Sequence, residues 1–129
     1  MLDSNAVIRA YLAADTALTA LVGQRIYCPR LPENATLPAL GFFSRGGIND
    51  PYIPDRVVSS VQFDCWDDNP IGAREVYRAL YDALQGIENV AVGANVIVSA
   101  IEEVQGQDLV DIEVSGYFRT LTFFQIMVR

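Results

Sequence analysis

Histidine and lysine are both missing from the chain, so all nine basic residues are arginine. Without imidazole, the commonest general base and the commonest nitrogen ligand for transition metals are gone. Without lysine there is no P-loop cation and no amine to form a Schiff base. Most enzyme classes therefore become poor candidates, and no cofactor or metal is implied. Cysteine is scarce too: Cys28 and Cys65 are the only two, and they lack the paired spacing of a zinc site. The opening Met1-Leu2-Asp3-Ser4 has no basic stretch leading into an apolar run, so a secretion signal is not expected. Two free thiols in a cytoplasmic setting are the expectation. No apolar run approaches the roughly 18 residues needed to span a membrane as a helix.

What is present is enough for one core. Of the 129 residues, 51% are hydrophobic and 19% charged, a balance that favours folding over disorder, and one domain over 1–129 is expected. The formal charge is −7 and the sequence pI about 4.3. Such a surface repels phosphate, which speaks against non-specific nucleic-acid binding and against anionic membranes. Its ordinary consequences are solubility and repulsion between copies.

Along the chain, Asp3 or Ser4 can cap a helix with Val7, Ile8, Tyr11 and Leu12 on one face and Arg9 on the other. Asp15-Thr16 restarts a short helix through Leu18, Leu21 and Val22, and Gly23 ends it. Prolines 29, 32 and 38 then predict an extended connection. Leu40 to Ser44 is predicted as a strand, followed by a loop from Arg45 to Arg56 rich in Gly, Pro, Asn and Asp. From Val57 to Trp66 the residues alternate, which places Val57, Ser59, Val61, Phe63 and Cys65 toward the core and Asp64 and Trp66 away from it. Asp67-Asp68-Asn69-Pro70 starts a helix whose stripe is Ala73, Val76, Tyr77, Leu80, Leu84 and Ile87. Strands are predicted at 95–104 and 117–128, with a short strand or hairpin arm over 109–114 between them. The last strand is apolar on both faces, which calls for cover on each side.

Other polar groupings have plainer readings than catalysis. Glu102 and Glu103 are neighbours on a strand, so their side chains point to opposite faces unless a bulge intervenes; a solvated face or an arginine partner is expected. The Asp64, Asp67, Asp68, Asn69 cluster lacks calcium-loop spacing and is read as helix capping. Arg45-Gly46-Gly47 has no lysine after it and opens no predicted helix, so it is not read as a phosphate cradle.

One family fits the order of these pieces. The run Ala17-Leu18-Thr19-Ala20-Leu21-Val22-Gly23-Gln24-Arg25-Ile26-Tyr27, the proline-flanked Leu37-Pro38-Ala39-Leu40, the strand Val61-Gln62-Phe63-Asp64-Cys65-Trp66, the helix through Leu84 and the terminal strand Arg119 to Val128 together resemble the tail-completion family of siphophages and prophages. The resemblance covers nearly the whole chain, departing mainly over 105–116. It implies an α+β fold, with helices packed on a mainly antiparallel sheet. It also implies a non-enzymatic virion subunit, assembled in the host cytoplasm, forming a six-fold ring that joins the tail-tube protein to a head connector or stopper protein. DNA passes such a ring without specific binding, and an acidic lumen would suit that passage. A head-side adaptor, an interaction module unrelated to phage, and a small enzyme or inhibitor using its carboxylates are the alternatives. The residues that best fit a contact surface are Arg45, Tyr52 and Arg56 in the long loop, Trp66 at a strand end, and Leu109, Val110 and Ile112 in the apolar stretch before Gly116.

Overall fold

The computed structural model describes residues 2–110 and 116–129. Helix α1 (Ser4–Ala13) starts where the Asp3 carboxylate accepts the Asn5 N–H at 3.1 Å, which satisfies one of the orphan donors of the first turn. Helix α2 (Thr16–Val22) repeats the device, with Asp15 accepting from the Leu18 N–H at 2.9 Å, and ends at Gly23 with φ +59°. Strand β1 (Ile26–Tyr27), strand β2 (Ala39–Asp50) and strand β3 (Ile53–Asp67) follow. Helix α3 (Pro70–Leu84) is capped by Asn69, whose side chain accepts the Gly72 N–H at 2.7 Å, with Pro70 in the first turn. Strands β4 (Glu88–Val92), β5 (Asn95–Val110) and β6 (Phe118–Val128) complete the chain.

The six strands form one sheet in the order β1-β2-β3-β6-β5-β4, and only the short β1–β2 pair is parallel. All three helices pack on one face: Val7, Ile8, Leu12, Leu18, Val22, Val76, Leu80 and Leu84 are buried together with Phe42, Phe63, Phe124 and Ile126 of the sheet. The ring centroids of Phe42 and Phe63 lie 5.6 Å apart and those of Phe63 and Phe124 5.7 Å apart, so three neighbouring strands share one aromatic ladder. Tyr11 ties α1 to α3 by donating its hydroxyl to the Ala83 carbonyl. This is the α+β fold with helices on a mainly antiparallel sheet.

Four local expectations change. The stretch from Arg45 to Arg56 is the end of the β2–β3 hairpin, paired at Gly47–Asn49 and at Asp50–Ile53 with register shifts before and between and a turn at 51–52, and not a loop. Its polar, glycine-rich composition reflects the lack of a core beneath it. The predicted separate element at 109–114 is absent as far as it is described: β5 runs unbroken to Val110, and 111–115 lie outside the described residues. Strand β4 was not expected; Asn89 takes φ +50° inside it, and its pairing skips from Glu88 to Val90. Asp64 points away from the helices as the alternation predicts, yet it is buried, because Arg119 and Gln62 close over it.

Candidate assembly interface

The β3–β6 pairing ends at Val57–Val128, and toward the turn the β2–β3 register shifts after Asn49–Val57 and resumes at Asp50–Ile53. The hairpin therefore stands out from the sheet as an arm. Tyr52 at the turn and Ile53 beside it are 91% and 45% exposed, and Ile48, opposite Val58 in the three-stranded part of the sheet, is 70% exposed, large apolar surface of the kind that contacts cover. The Gly-Gly pair explains how the arm is aimed. The register shifts between Ser44 and Gly47, Gly46 takes φ +96°, and a Cβ on Gly47 would lie 1.8 Å from the Val58 carbonyl oxygen. Only glycine lets the two backbones meet in this bulge.

Arg45 and Arg56 brace the base of the arm on the sheet face opposite the helices. The Arg45 guanidinium lies 3.9 Å from the centroid of Phe123 and donates to the Ser60 hydroxyl at 3.2 Å, and Ser60 in turn donates to Glu103 at 2.8 Å. Arg56 Nε is 3.2 Å from the Met127 sulfur. The expected cover on the outer face of β6 is thus supplied in part by arginines of the chain itself.

Trp66 stands at the far end of the same face. Its ring meets Tyr117 edge-on at 6.2 Å, and Arg119 sits 5.3 Å above it while pairing with Asp64 at 3.5 Å. Burial pushes the Asp64 carboxyl above its usual range, and Arg119 and Gln62 pull in the other direction. Leu109 is half-buried and pairs with Arg119 in the ladder. Val110 ends β5, and Ile112 lies outside the described residues.

The contact residues expected from sequence therefore form two groups. From Ser60, at the base of the arm, to Trp66 is six residues of strand, about 20 Å at the usual rise. Tyr52 lies further out still. Ile48 and Ile53 join Tyr52 on the arm, and sequence reasoning missed both; an isoleucine on each side of a Pro-Tyr turn was the available signal.

A second feature lies between α3 and β5. The Tyr77 hydroxyl donates to Glu102 Oε2 at 2.7 Å and accepts the Gly106 N–H at 3.1 Å, while Gln85 accepts the Glu102 N–H at 2.7 Å. The pairing is irregular between Glu102 and Val104, yet Glu102 and Glu103 still diverge, one to Tyr77 and the other to Ser60. Neither has an arginine partner among the described residues. Asp67 and Asp68 serve the start of α3: the Asp68 N–H donates to Asp67 at 2.7 Å, and Asn69 donates to Asp68 at 2.9 Å.

Cys65 is buried, which drives its thiol well above its ordinary pKa, and Cys28 is exposed. Among the described residues no three carboxylates or thiols gather to hold a metal ion, and no helix is long and apolar enough to cross a membrane. What the surface offers is apolar anchors, aromatic faces and guanidiniums, which are the groups of binding energy.

Comparison with known proteins agrees with the fold. Residues 6–128 match the family described as "Tail completion protein gp17". A chain in the solved structure titled "Virion of native gene transfer agent (GTA) particle" superposes with a TM-score of 0.69 at 18% identity, over 95% of this chain and 92% of that one. No curated protein sequence matches. Because the family match spans nearly the whole sequence, taking in all but the first two residues of α1 and every strand of the sheet, the chain belongs to the tail completion protein gp17 family.

Proposed function

We propose that this tail-completion protein is a non-enzymatic virion subunit that closes the end of a phage tail tube as a ring, six-fold in the particle, and joins it to the head connector or stopper protein. The observation that carries the reading is the exposed apolar surface of the β2–β3 hairpin, Ile48 on its strand and Tyr52 and Ile53 at its turn, in a family of tail-completion proteins. Head-to-tail contacts between copies close into rings when the rotation allows. Likeness to a chain of an assembled, phage-like particle supports the same reading. The subunit assembles in the host bacterial cytoplasm, and its work is geometric, with binding free energy in place of chemistry. DNA crosses the ring without being recognised, as the −7 charge of the chain suits.

Electron microscopy of particles from an induced lysogen lacking the gene tests this. Filled heads beside detached tails, some of irregular length, are the expected outcome. Normally joined virions would remove the joining role.

A further inference from the structure

We infer that the outward stripe of α3 in one copy of the chain lies across the open sheet face of the next copy. The assignment rests on the ring reading above and names the two surfaces of its repeating contact.

The sheet face opposite the helices is covered at one end and open at the other. At Gly41 the backbone of Arg30 and Leu31 lies over it, so closely that a Cβ on Gly41 would be 3.4 Å from the Leu31 nitrogen. Beside the stretch of β6 from Phe123 to Met127, in contrast, Ile48, Ile101 and Val104 are 70%, 54% and 42% exposed on this face.

Three charges are set among these apolar side chains, and the ladder gives their order. Arg45 lies over Phe123, Glu103 is held at Ser60, which pairs with Gln125, and Arg56 reaches Met127. Along β6 the order is plus, minus, plus. Four residues of strand separate Phe123 from Met127, about 13 Å. Neither arginine has a carboxylate partner among the described residues: one is held by the Phe123 ring and the Ser60 hydroxyl, the other by the Met127 sulfur. Most of the N–H donors of each guanidinium are left for an incoming carboxylate.

The stripe on α3 carries the opposite order. The buried side of the helix is Ala73, Val76, Tyr77, Leu80 and Leu84, which puts Ile71, Glu75, Arg78 and Asp82 on the far side, all four exposed. Arg74, in the cleft between α3 and β5, already pairs with Asp108. Glu75, Arg78 and Asp82 have no hydrogen bond or ion pair among the described residues. Glu75 and Asp82 are seven residues apart, about 10 Å along the helix, with Arg78 between them. Minus, plus, minus on the helix thus meets plus, minus, plus on the sheet at a similar spacing, and the long side chains take up the difference. Ile71, 73% exposed, adds an apolar contact to the pairs.

Both halves of this match are on the same chain, which makes the occupant a second copy. They lie back to back, since α3 packs on the inner side of the strands whose outer side is the open face. Each copy then offers its sheet to one neighbour and its helix to the other, the heterologous arrangement from which a closed ring is built.

The test uses the full chain in particles. Arg78 and Glu103 are the central charges of the two surfaces, so they meet whichever way the helix runs. Arg78→Cys and Glu103→Cys are placed together in a Cys28→Ser chain that complements the deletion lysogen; Cys65 is buried. Purified particles are treated with a short bismaleimide. Denaturing gels should show a ladder rising in steps of one 14.2 kDa chain, with no ladder from either single variant. A ring of this chain at the tail end without a ladder overturns the contact and leaves the ring reading standing. A ladder from a single variant, or a product joined to a different virion protein, does the same. One copy per tail end overturns both.

If the double-cysteine chain yields no particles, charge exchange decides. Arg78→Glu should keep the Tm of the parent chain and lower the yield of joined particles by about tenfold or more. Adding Glu103→Arg should restore most of the loss. A normal yield from Arg78→Glu, or no restoration by the pair, overturns the inference.

Discussion

Removing one oxygen atom from Tyr77 tests how α3 holds β5. In Tyr77→Phe the ring keeps its place against the core while two hydrogen bonds vanish: one of 2.7 Å to the Glu102 carboxylate and one of 3.1 Å from the Gly106 N–H. A bond to a charged group contributes about 1.5–3 kcal/mol and a neutral one about 0.5–1.5 kcal/mol. Glu102 keeps a donor in Thr122, whose hydroxyl is 2.8 Å from Oε2 and 2.9 Å from the Val104 carbonyl, so its one proton can favour either. Water can reach the cleft side, which places the expected loss near the lower ends of both ranges, about 2 kcal/mol. For a chain of this size that corresponds to a fall in Tm of about 6–10 °C. Urea unfolding should show a lower midpoint with unchanged slope, and the Gly106 amide should exchange faster. A loss below about 0.5 kcal/mol, within the range of ordinary surface changes, with Gly106 protection intact would refute the reasoning, since water or backbone adjustment would then be replacing the hydroxyl.

Three further outcomes follow from particular positions. Gly47→Ala puts a methyl group against the Val58 carbonyl; it should cost about 1–3 kcal/mol, with faster amide exchange in the arm and unchanged protection in β6. Asp64→Asn should raise stability at pH 7, because burial holds the folded-state pKa above its unfolded value. In that case the ionised form costs stability above the folded pKa. The advantage of the variant should vanish below the unfolded carboxylate pKa, where both states are protonated; an advantage that grew on acidification would contradict this. Leu80→Ala empties a fully buried site on α3 and should cost about 2–5 kcal/mol by calorimetry or urea unfolding.

The elements most legible in the sequence are those whose local chemistry and burial agree. In α3 the Asn-Pro start and the stripe Ala73, Val76, Tyr77, Leu80, Leu84 name the same helix, and in β3 the alternation names the same buried face. The arm was illegible for a physical reason. Period-two hydrophobicity marks a strand only where one face is buried, and past Val57, where the β6 pairing ends, the hairpin continues through an irregular register to the Asp50–Ile53 pair. Glycine and proline there mark a bulge and a turn, which composition alone reads as loop. Strand β4 is hidden by its brevity and by Asn89 in the left-handed region. Of the candidate contact residues, Tyr52 stands where a loop tip was expected. Arg45 and Arg56 are drawn instead onto Phe123 and Met127, partners more than sixty positions away that no local pattern could reveal.

How the sheet edges are finished bears on how copies meet. Along β5 three backbone groups that a foreign strand would need are taken by α3 and its C-cap: the Glu102 N–H by Gln85, the Gly106 N–H by Tyr77, and the Gly106 carbonyl by Arg74 at 3.3 Å. That stretch of β5, which runs on past its pairing with β4, is blocked at these positions, while β4 (Glu88–Val92) forms the outer edge of the sheet on this side. The opposite edge is covered by β1 only at Leu40 and Gly41. The Leu40 N–H bonds to the Arg25 carbonyl at 3.0 Å, so Leu40 faces outward, and the two-residue period turns Phe42 and Ser44 the same way. Register shifts after Ser44 and Asn49 then twist the rest of that edge out of a flat template. At β5 and β2, contacts through side chains therefore fit this molecule better than strand addition, and hydrogen exchange separates the two. On assembly the Phe42 and Ser44 amides should keep the exchange rates of the free chain. New protection at Phe42 and Ser44 would mean that a strand has been added there, on the part of the β2 edge that β1 leaves uncovered.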